Sequence, residues 1–394
     1  MNEAIFSKEV QDYLKDNEDA EITGIVLSGS PFENVTAAEL AQQLEGRKKA
    51  KTKLPIWYST SAIYYPPKLN IEQTSSQATA QYKASLAKGA SLIDITGGLG
   101  IDSYFFSKVN NEVIHCELND EISQIATHNF QFLAANNIKT VSGDGLDFLK
   151  KNTAHFDTIY VDPSRRNESK GKVFILKDCL PNIPEKIDLL LSKTNQLIVK
   201  TSPLLDISAG LRELTAVAEI HIVAVNNEVK ELLWILKQGV KNLDLVLKTV
   251  NILSTGNEVT AANYHEALDS SASFALAKKY LYEPNAALLK SGLFNWIGNS
   301  FNLEKLHTNT HLYTSDELID FPGRRFEIQE TLSFNKKNVV DKFGGKKANI
   351  TTRNFKTSVE NIRKKFKIKD GGDDYLFFCS DLNNSAVVIA CRKI

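Results

Sequence analysis

A short apolar strand, a glycine-rich turn, a helical stretch and a second strand follow one another between Ser91 and Glu117. The turn contains glycine because the backbone must pass close to a ligand and take dihedral angles that a Cβ forbids. Glu117, which ends the second strand, is placed to accept hydrogen bonds from both hydroxyls of a ribose. The stretch predicts half of a βαβ unit that binds a nucleotide-like ligand, with the turn at Gly97, Gly98 and Gly100.

Asp94 distinguishes between two classes of such ligands. The dinucleotide fingerprint, G-x-G-x-x-G, places a pyrophosphate at a helix N-terminus. Here the first two glycine positions are Gly98 and Gly100, and the third is Ser103. The anionic Asp94 at the strand end repels a pyrophosphate but suits a cationic ligand, such as the amino and sulfonium groups of S-adenosylmethionine. We therefore favour S-adenosylmethionine over a dinucleotide.

With these residues the chain resembles the class I S-adenosylmethionine-dependent methyltransferases. These are α/β proteins whose Rossmann-like parallel sheet ends in an antiparallel strand. The resemblance rests on the acidic-glycine turn, on Glu117, on SGDGLDFL, whose Asp144 matches the residue that reads the adenine amino group, and on DTIYVDPSRR. It implies S-adenosylmethionine as cofactor, bound by Asp94, Thr96, Gly97, Gly98, Gly100, Asp102, Glu117 and Asp144.

The stretch after the fourth predicted strand resembles the D/N-P-P-Y/F/W tetrapeptide of enzymes that methylate amines. In those enzymes the acidic side chain and the first proline's carbonyl accept hydrogen bonds from the amine, and the aromatic residue stacks on the base. This chain keeps Asp162 and Pro163 but has Ser164 and Arg165 at the next positions. Arg165 can stack on a base or bind phosphate; alternatively, Arg165 and Arg166 cover the sheet edge or pair with a carboxylate. The candidate catalytic residues are Asp162, Pro163, Ser164 and Arg165.

Other chemistries fit the sequence less well. A cysteine nucleophile for cytosine-C5 methylation commonly follows a proline, and neither Cys116 nor Cys179 does. His307 and His311 have an H-x-x-x-H spacing without the glutamate of H-E-x-x-H, so we expect a surface loop and no metal. The residues Lys200-Thr201-Ser202-Pro203 either line the pocket or form a turn after the fifth strand.

Length and charge suggest several domains and an uneven charge distribution. The chain has 394 residues, enough for two or three domains, and its formal net charge is zero. Residues 324–394 nevertheless contain 16 Lys and Arg against 8 Asp and Glu. Cysteines without metal or disulfide spacing, an acidic N-terminus and the absence of a long apolar segment predict a cytoplasmic protein without membrane contact.

Four parts are expected along the chain. Residues 1–70 form a helical N-terminal segment, residues 71–270 the methyltransferase domain, residues 271–323 a small connecting α/β unit of ferredoxin-like type, and residues 324–394 a basic module. The β-α-β-α-β-β pattern of this last module resembles the THUMP-like domains of some methyltransferases. THUMP domains bind RNA, usually tRNA, so RNA is the expected partner.

Two further stretches remain open between a functional and a structural role. The basic run that starts at Arg47 is followed by LPIWYSTSAIYYPP, which could form a nucleic-acid surface or a packed aromatic plug. The helix predicted over 74–87, with a capping box of Thr74 and Gln77, either touches the cofactor through Gln77, Thr79 or Tyr82 or is purely structural.

Apolar runs and capping signals give the expected elements of the core and the last module. Strands are predicted at 92–94, 112–117, 139–142, 156–161, 196–200, 220–225, 229–236 and 246–252, and helices at 101–109, 121–135, 145–151 and from Tyr282 to about 299. A further capping box is expected at Thr357 and Glu360, and domain boundaries are expected near Ser270 and at 321–323.

Together these features predict transfer of a methyl group to a nucleobase amine of RNA, either tRNA or rRNA. Two alternatives remain: a methyltransferase of a protein or small molecule, and a catalytically inactive RNA-binding protein. Asp94, Glu117, Asp144 and Asp162 argue against the inactive protein, because such a protein would not need them.

Overall fold

The computed structural model of the chain describes residues 1–165, 175–240 and 244–394. The chain divides into two compact units. The first comprises Met1–Ala218 with Leu232–Asn242, and the second comprises Glu219–Glu231 with Leu243–Ile394. Each unit has its own sheet strands and buried apolar residues.

The first unit begins with helices, as predicted for residues 1–70. A capping box of Thr36 and Glu39 starts the longest of these helices. The elements are a 3-10 turn at Glu3–Phe6, α1 Lys8–Asp16, α2 Ile22–Ser28, α3 Ala37–Lys53, α4 Pro55–Ser59, α5 Lys68–Gln73 and α6 Gln77–Leu86.

Alternating strands and helices follow. They are β1 Ser91–Asp94, α7 Ile101–Phe106, β2 Glu112–Glu117, α8 Asp120–Phe132, β3 Ile138–Ser142, α9 Gly145–Lys151, β4 Phe156–Val161, β5 Ser164–Arg165, a 3-10 turn at Leu176–Asp178, β6 Cys179–Leu180, α10 Ile183–Leu191, β7 Thr194–Thr201 and α11 Ile207–Glu213. The next two strands, β8 Val217–Val225 and β9 Glu228–Leu236, each contribute residues to both units.

Within the first unit the strand order is β9-β7-β4-β1-β2-β3. The pairs β7–β4, β4–β1, β1–β2 and β2–β3 are parallel, and β9 runs antiparallel to β7 between Leu232 and Leu236. The central strands are apolar because helices cover both faces of such a sheet. Thus the predicted Rossmann-like sheet with an antiparallel last strand is confirmed.

In the second unit a first group of strands has the order β8-β10-β11, followed by a short helix. Strand β10 is parallel to β8 and antiparallel to β11. The bounds are β10 Val246–Leu253, β11 Gly256–Asn263 and α12 Tyr264–Leu268. Strand β11 could not be predicted from its residues because most of its side chains are exposed or half-buried, so the strand lacks a continuous apolar face.

The rest of the second unit is a seven-stranded sheet in the order β13-β14-β12-β15-β18-β17-β16. Its elements are β12 Tyr280–Pro284, α13 Ala286–Ser291, α14 Phe294–Ser300, β13 Glu304–Lys305, β14 Tyr313–Ser315, β15 Gly323–Ser333, α15 Lys336–Phe343, β16 Asn349–Arg353, α16 Val359–Phe366, β17 Asp374–Ser380 and β18 Ala386–Lys393. The predicted β-α-β-α-β-β pattern of the last module is confirmed. Because β12 pairs with β15, residues on both sides of Gly323 share this sheet.

Three predicted helix starts are wrong. The helix expected from Tyr282 to about 299 begins at Ala286, because the aromatic residues before it form β12 and Asn285 is the N-cap. It is also interrupted at Gly292, the left-handed C-cap of α13, and α14 follows as a separate helix. Ser76, with Thr79, caps α6 instead of Thr74 with Gln77. Ser358, whose hydroxyl accepts a hydrogen bond from the amide of Asn361, caps α16 instead of Thr357. In the last two cases a second hydroxyl residue stands close to the expected cap, so the pattern alone could not choose between them.

No helix in the described ranges is long and apolar enough to cross a membrane.

Candidate active site

Three neighbouring parallel strands bring charged side chains to one edge of the first unit's sheet. Asp94 ends β1, Asp162 directly follows β4, and Lys200 is the next-to-last residue of β7. In an open α/β sheet ligands bind beside the carboxyl ends of the strands. The candidate site therefore lies at this edge.

Asp94 is 1% exposed, and both of its oxygens accept hydrogen bonds. The amide of Thr96 donates to Oδ1 at 3.0 Å, and the hydroxyl of Ser103 donates to Oδ2 at 2.8 Å. Burial raises the pKa of Asp94 to about 7 against these hydrogen bonds, and the nearby Asp102 and Asp162 raise it further. Since the carboxylate lacks a cationic partner among the described side chains, its surroundings fit a positively charged ligand.

Ser103, at the third glycine position of the dinucleotide fingerprint, connects Asp94 to His115. Its oxygen lies 3.0 Å from Nδ1 of His115, and since the hydroxyl proton goes to Asp94, the imidazole N–H donates to Ser103. Burial lowers the pKa of His115 to about 4, so the ring is neutral at pH 7. The ring fills the space beside Gly97, where a Cβ would lie 2.1 Å from it. A glycine is therefore required at position 97.

The other two glycines of the turn have left-handed backbone angles. Gly98 has φ +54° and Gly100 has φ +75°. A Cβ at Gly100 would come within 2.2 Å of Phe130, whereas a Cβ at Gly98 would have open space within 4 Å. A ligand can thus approach the backbone at Gly98, and Gly100 is needed for packing.

Glu117 and Asp144 lie at the carboxyl ends of the next two strands. One oxygen of Glu117 accepts a hydrogen bond from the amide of Gly98 at 2.8 Å, and the other accepts from the amide of Asn119 at 2.7 Å. Asp144 caps α9 through one oxygen, to which the amide of Leu146 donates at 2.7 Å. The roles of Glu117 toward a ribose and of Asp144 toward an adenine remain predictions. Both residues lie at the same edge of the sheet as Asp94.

Asp102 belongs to a buried polar network that was not predicted from the sequence. Its carboxylate pairs with Lys83 at 3.1 Å and accepts hydrogen bonds from Ser75 at 2.8 Å and Tyr160 at 2.9 Å. Burial alone would raise its pKa, but the charges of Lys83 and Lys200 and these two hydrogen bonds outweigh burial and lower it. The sequence feature that could have revealed this network is Lys83, a lysine on the buried face of α6.

Asp162 is held from two sides. Its amide donates to the hydroxyl of Thr96 at 2.7 Å, and its Oδ2 lies 2.5 Å from Nζ of Lys200. The side chain of Asp162 is 34% exposed and that of Lys200 is 14% exposed. Thr96 thus joins the ends of β1 and β4, while Lys200 brings the end of β7 into the site. The neighbouring Thr201 accepts a hydrogen bond from the indole of Trp234 instead.

The three residues that follow Asp162 in the predicted tetrapeptide lead into a short strand. Pro163 is buried, and Ser164 and the backbone of Arg165 form β5, which pairs antiparallel with β6. The side chain of Arg165 and the whole of Arg166 lie outside the described residues. The proposed stacking or phosphate contact of Arg165 therefore remains a prediction.

A solved structure matches the whole chain. It is the crystal structure of a "putative methyltransferase" from Porphyromonas gingivalis W83, with 30% sequence identity and a TM-score of 0.89. The match covers 100% of this chain and 99% of the other. This chain belongs to the same methyltransferase family. The recognition of a methyltransferase from the motifs is thereby confirmed.

Family models match three parts of this methyltransferase. Residues 51–167 match the family described as protein-L-isoaspartate(D-aspartate) O-methyltransferase. Residues 280–322 match a ferredoxin-like domain, and residues 323–393 match a THUMP domain-like family. The THUMP-like character predicted for the last module is confirmed.

A curated relative provides a second comparison. An uncharacterised RNA methyltransferase of Mycoplasma mobile is 26% identical to this chain over 154 residues. The match covers 38% of this methyltransferase and 41% of the relative. The chain therefore spans less than half the length of that protein.

His307 and His311 belong to the second unit of the methyltransferase. His307 is hydrogen-bonded through Nε2 to the side chain of Asn384 at 2.8 Å. His311 stacks on the ring of Phe294, with centroids 3.5 Å apart. No group of three or more His, Cys, Asp or Glu side chains that could hold a metal occurs in the described part of the chain.

Asp94→Asn is expected to weaken S-adenosylmethionine binding about 10- to 150-fold at pH 8, since hydrogen bonds involving a charged group contribute about 1.5–3 kcal/mol. The affinity of the unsubstituted protein should rise as the pH increases through about 7, where Asp94 loses its proton, and that of the variant should stay flat. Titration calorimetry between pH 6 and 8 measures both effects. His115 does not interfere, because its pKa of about 4 lies below this range.

The stability of the ligand-free protein should fall as the pH rises, whereas the affinity for S-adenosylmethionine should rise. A carboxyl whose folded pKa is raised stabilises the ligand-free protein fully below the unfolded value of 3.8 and loses this contribution as the pH rises through about 7. The unfolding midpoint of the unsubstituted protein should thus fall, relative to Asp94→Asn, between pH 4 and 8. Asp147→Asn, an exposed aspartate on α9, is the control. Parallel pH profiles for the Asp94 variant and the unsubstituted protein would contradict the assignment.

Proposed function

We propose that this protein transfers a methyl group from S-adenosylmethionine to a nucleobase amine of RNA, either tRNA or rRNA. The observation that carries the proposal is the placement of Asp162 beside the glycine turn, joined to it by the hydrogen bond to Thr96. A hydrogen-bond acceptor next to the predicted cofactor position supports an amine as the methyl acceptor.

The residues along the strand edge fit the cofactor. When bound, S-adenosylmethionine supplies a methyl group on a positively charged sulfur. Asp94 provides a buried negative charge, Gly98 provides open backbone, and Glu117 and Asp144 provide acceptors for the ribose and the adenine. Thr96, Gly97, Gly100 and Asp102 complete the set that would hold it.

The acceptor side of the site favours an amine. A neutral amine already has a lone pair, so the protein needs to align it rather than remove a proton first. Asp162 and the carbonyl of Pro163 are hydrogen-bond acceptors, which match the N–H groups of an exocyclic amine. Methyl transfer leaves the nitrogen positively charged, and the proton it then loses can pass to water or to Asp162.

Three observations support RNA as the substrate. The last module is THUMP-like, the curated relative is named as an RNA methyltransferase, and residues 324–394 have an excess of basic residues. Exposed lysines on and after α16 supply part of this charge: Lys364, Lys365, Lys367 and Lys369. A phosphate backbone is the complementary partner.

The deciding experiment uses RNA from a strain that lacks this gene. Purified protein and S-adenosylmethionine with a labelled methyl group are incubated with that RNA, which is then digested to nucleosides and examined by mass spectrometry. We expect one nucleoside with a methyl group on an exocyclic nitrogen, present in wild-type RNA and absent from the deletion strain. A methyl group on a ribose oxygen or a ring carbon would refute the amine acceptor, and unlabelled RNA would refute the RNA substrate.

A protein substrate is the second candidate, because residues 51–167 match the protein O-methyltransferase family. Such an enzyme methylates a carboxylate. A carboxylate acceptor beside Asp162 would meet like charge, with Asp94 and Asp102 also near, which disfavours it. Label released as methanol from a protein fraction on mild base treatment would support this candidate.

RNA binding through the last module predicts a change in salt dependence. Lys364→Gln with Lys365→Gln should lower RNA affinity and reduce the log–log salt slope by about 1.4 to 1.8, since each neutralised phosphate contributes about 0.7 on a single strand and about 0.9 on a duplex. Fluorescence anisotropy with labelled tRNA at several salt concentrations measures the slope.

The matched control is Lys150→Gln with Lys151→Gln. These two lysines are also consecutive and exposed, and they also lie in the last turn of a helix, α9. Both variants therefore remove favourable charge at a helix C-terminus, and the control also removes the exposed pair of Lys150 with Asp147. Equal slopes for the two double variants would show that α16 does not contact phosphate.

A further inference from the structure

We infer that Lys200 is a positioning residue for methyl transfer, which holds Oδ2 of Asp162 so that Oδ1 is presented to the acceptor amine. This inference rests on the proposed function and extends it to a residue that the sequence left open between a pocket residue and a turn residue. It assigns to Lys200 a role through Asp162 rather than a direct contact with the substrate.

The geometry leaves Asp162 with one available oxygen. Lys200 occupies Oδ2 at 2.5 Å, and the Asp162 amide is fixed by Thr96 at 2.7 Å. None of the described residues donates a hydrogen bond to Oδ1. A carboxylate held at its backbone and at one oxygen has little freedom to rotate, so Oδ1 keeps one direction toward an incoming N–H.

Lys200 is itself held in place. It lies within β7, where Val199 pairs with Val161 of β4 and Lys200 pairs with Leu233 of β9. Its side chain is only 14% exposed, whereas that of Asp162 is 34% exposed. A lysine anchored on a central strand can therefore fix a partner that follows the end of the neighbouring strand.

The positive charge of Lys200 also offsets part of the negative charge at this edge of the sheet. At this edge the charges of Asp102 and Asp162 both act on the carboxyl of Asp94 and raise its pKa. Lys200 pairs with one of them and lowers the pKa of Asp102, so it acts on two. Without it, the negative charge of Asp162 would act on Asp94 with no paired cation of its own.

The alternative role is a direct contact between Lys200 and an RNA phosphate. The two roles predict different kinetics. A positioning residue affects the alignment of the reacting groups, so its loss lowers kcat and leaves KM for RNA unchanged. A phosphate contact strengthens RNA binding, so its loss raises KM and flattens the salt dependence.

The first test compares Lys200→Met with Lys200→Arg. Since a small misplacement of reacting groups can reduce rates by about 100-fold, we expect kcat for Lys200→Met to fall about 10- to 100-fold. KM for RNA and the calorimetric Kd for S-adenosylmethionine should stay within about twofold, and Lys200→Arg should recover much of the rate, since it can still pair with Asp162. The control is Lys150→Met, which removes an exposed Lys–Asp pair of 2.8 Å.

The decisive test is a double-mutant cycle. If Lys200 acts only through Asp162, adding Lys200→Met to Asp162→Ala should reduce kcat no further. An additive loss, or a raised KM with unchanged kcat, would overturn the positioning role and leave the proposed function intact. If the unsubstituted protein methylates no RNA, the proposed function fails and this role fails with it.

Discussion

Asp162→Ala is expected to lower the rate of methyl transfer by about 100- to 10,000-fold, the range for loss of a group that aligns the reactants or handles a proton. Its Kd for S-adenosylmethionine should remain within about twofold of the unsubstituted value. The separation follows from position: Asp162 follows β4, while the residues predicted to bind the cofactor lie mainly after β1, β2 and β3. Single-turnover kinetics and calorimetry on the same preparation measure the two quantities.

Two further variants make this test specific. Asp162→Asn keeps an oxygen acceptor but loses the charge that pairs with Lys200, so it should retain an intermediate rate. Asp147→Ala, an exposed aspartate in a pair with Lys150, should have the rate of the unsubstituted protein. Full activity of Asp162→Ala would show that another group aligns the acceptor.

The elements of the sheet that carry the site could be predicted because their signals are local. Strand β4 and helix α9 have the predicted bounds, since each is a short apolar or amphipathic run with polar residues at both ends. The turn could be predicted from its glycines, two of which take positive φ. The aromatic stretch from Tyr282 was predicted as the start of a helix but forms part of β12, because its local pattern is compatible with either structure.

Contacts between distant parts of the chain were not predictable. The pair of Asp162 and Lys200 joins residues 38 positions apart, and Ser75 contacts Asp102 across 27 positions. The individual residues were visible in the sequence, but which of them meet depends on the strand order. Lys200 was therefore left between a pocket residue and a turn residue until the sheet placed it beside Asp162.

Ser103 shows how a departure from a motif can be informative. At the third glycine position of the dinucleotide fingerprint, it supplies the hydroxyl that joins Asp94 to His115. A glycine there would leave the buried Asp94 with one fewer donor, and an unsatisfied buried group costs about 1–3 kcal/mol, more if charged. The departure thus supports the interpretation that the turn is built around an acidic residue.

Lys83→Met is expected to destabilise the first unit by about 3–5 kcal/mol at pH 7, as found when one partner of a buried ion pair is removed. Lys83 is fully buried, and the substitution leaves the carboxylate of Asp102 in the interior without this cation. The hydrogen bonds from Ser75 and Tyr160 remain, but neither carries a compensating charge. Urea unfolding followed by circular dichroism measures the loss.

The double variant Lys83→Met with Asp102→Asn separates charge from packing. If the unpaired carboxylate causes the loss, neutralising it should recover most of the stability. If the loss comes from packing around α6, the double variant should be no more stable than Lys83→Met. Lys150→Met is the control for a lysine paired at the surface, where such pairs contribute about 0–1 kcal/mol.

The pH dependence of the Lys83 effect provides an independent check on its cause. The folded pKa of Asp102 is lowered from 3.8, so its ionised form stabilises the protein above that value, and this contribution is lost as the pH falls through the lowered pKa. The difference in stability between the unsubstituted protein and Lys83→Met should therefore be largest near pH 7 and should shrink as Asp102 takes up a proton. A difference that stays constant down to pH 3 would mean that Lys83 stabilises the unit by packing alone.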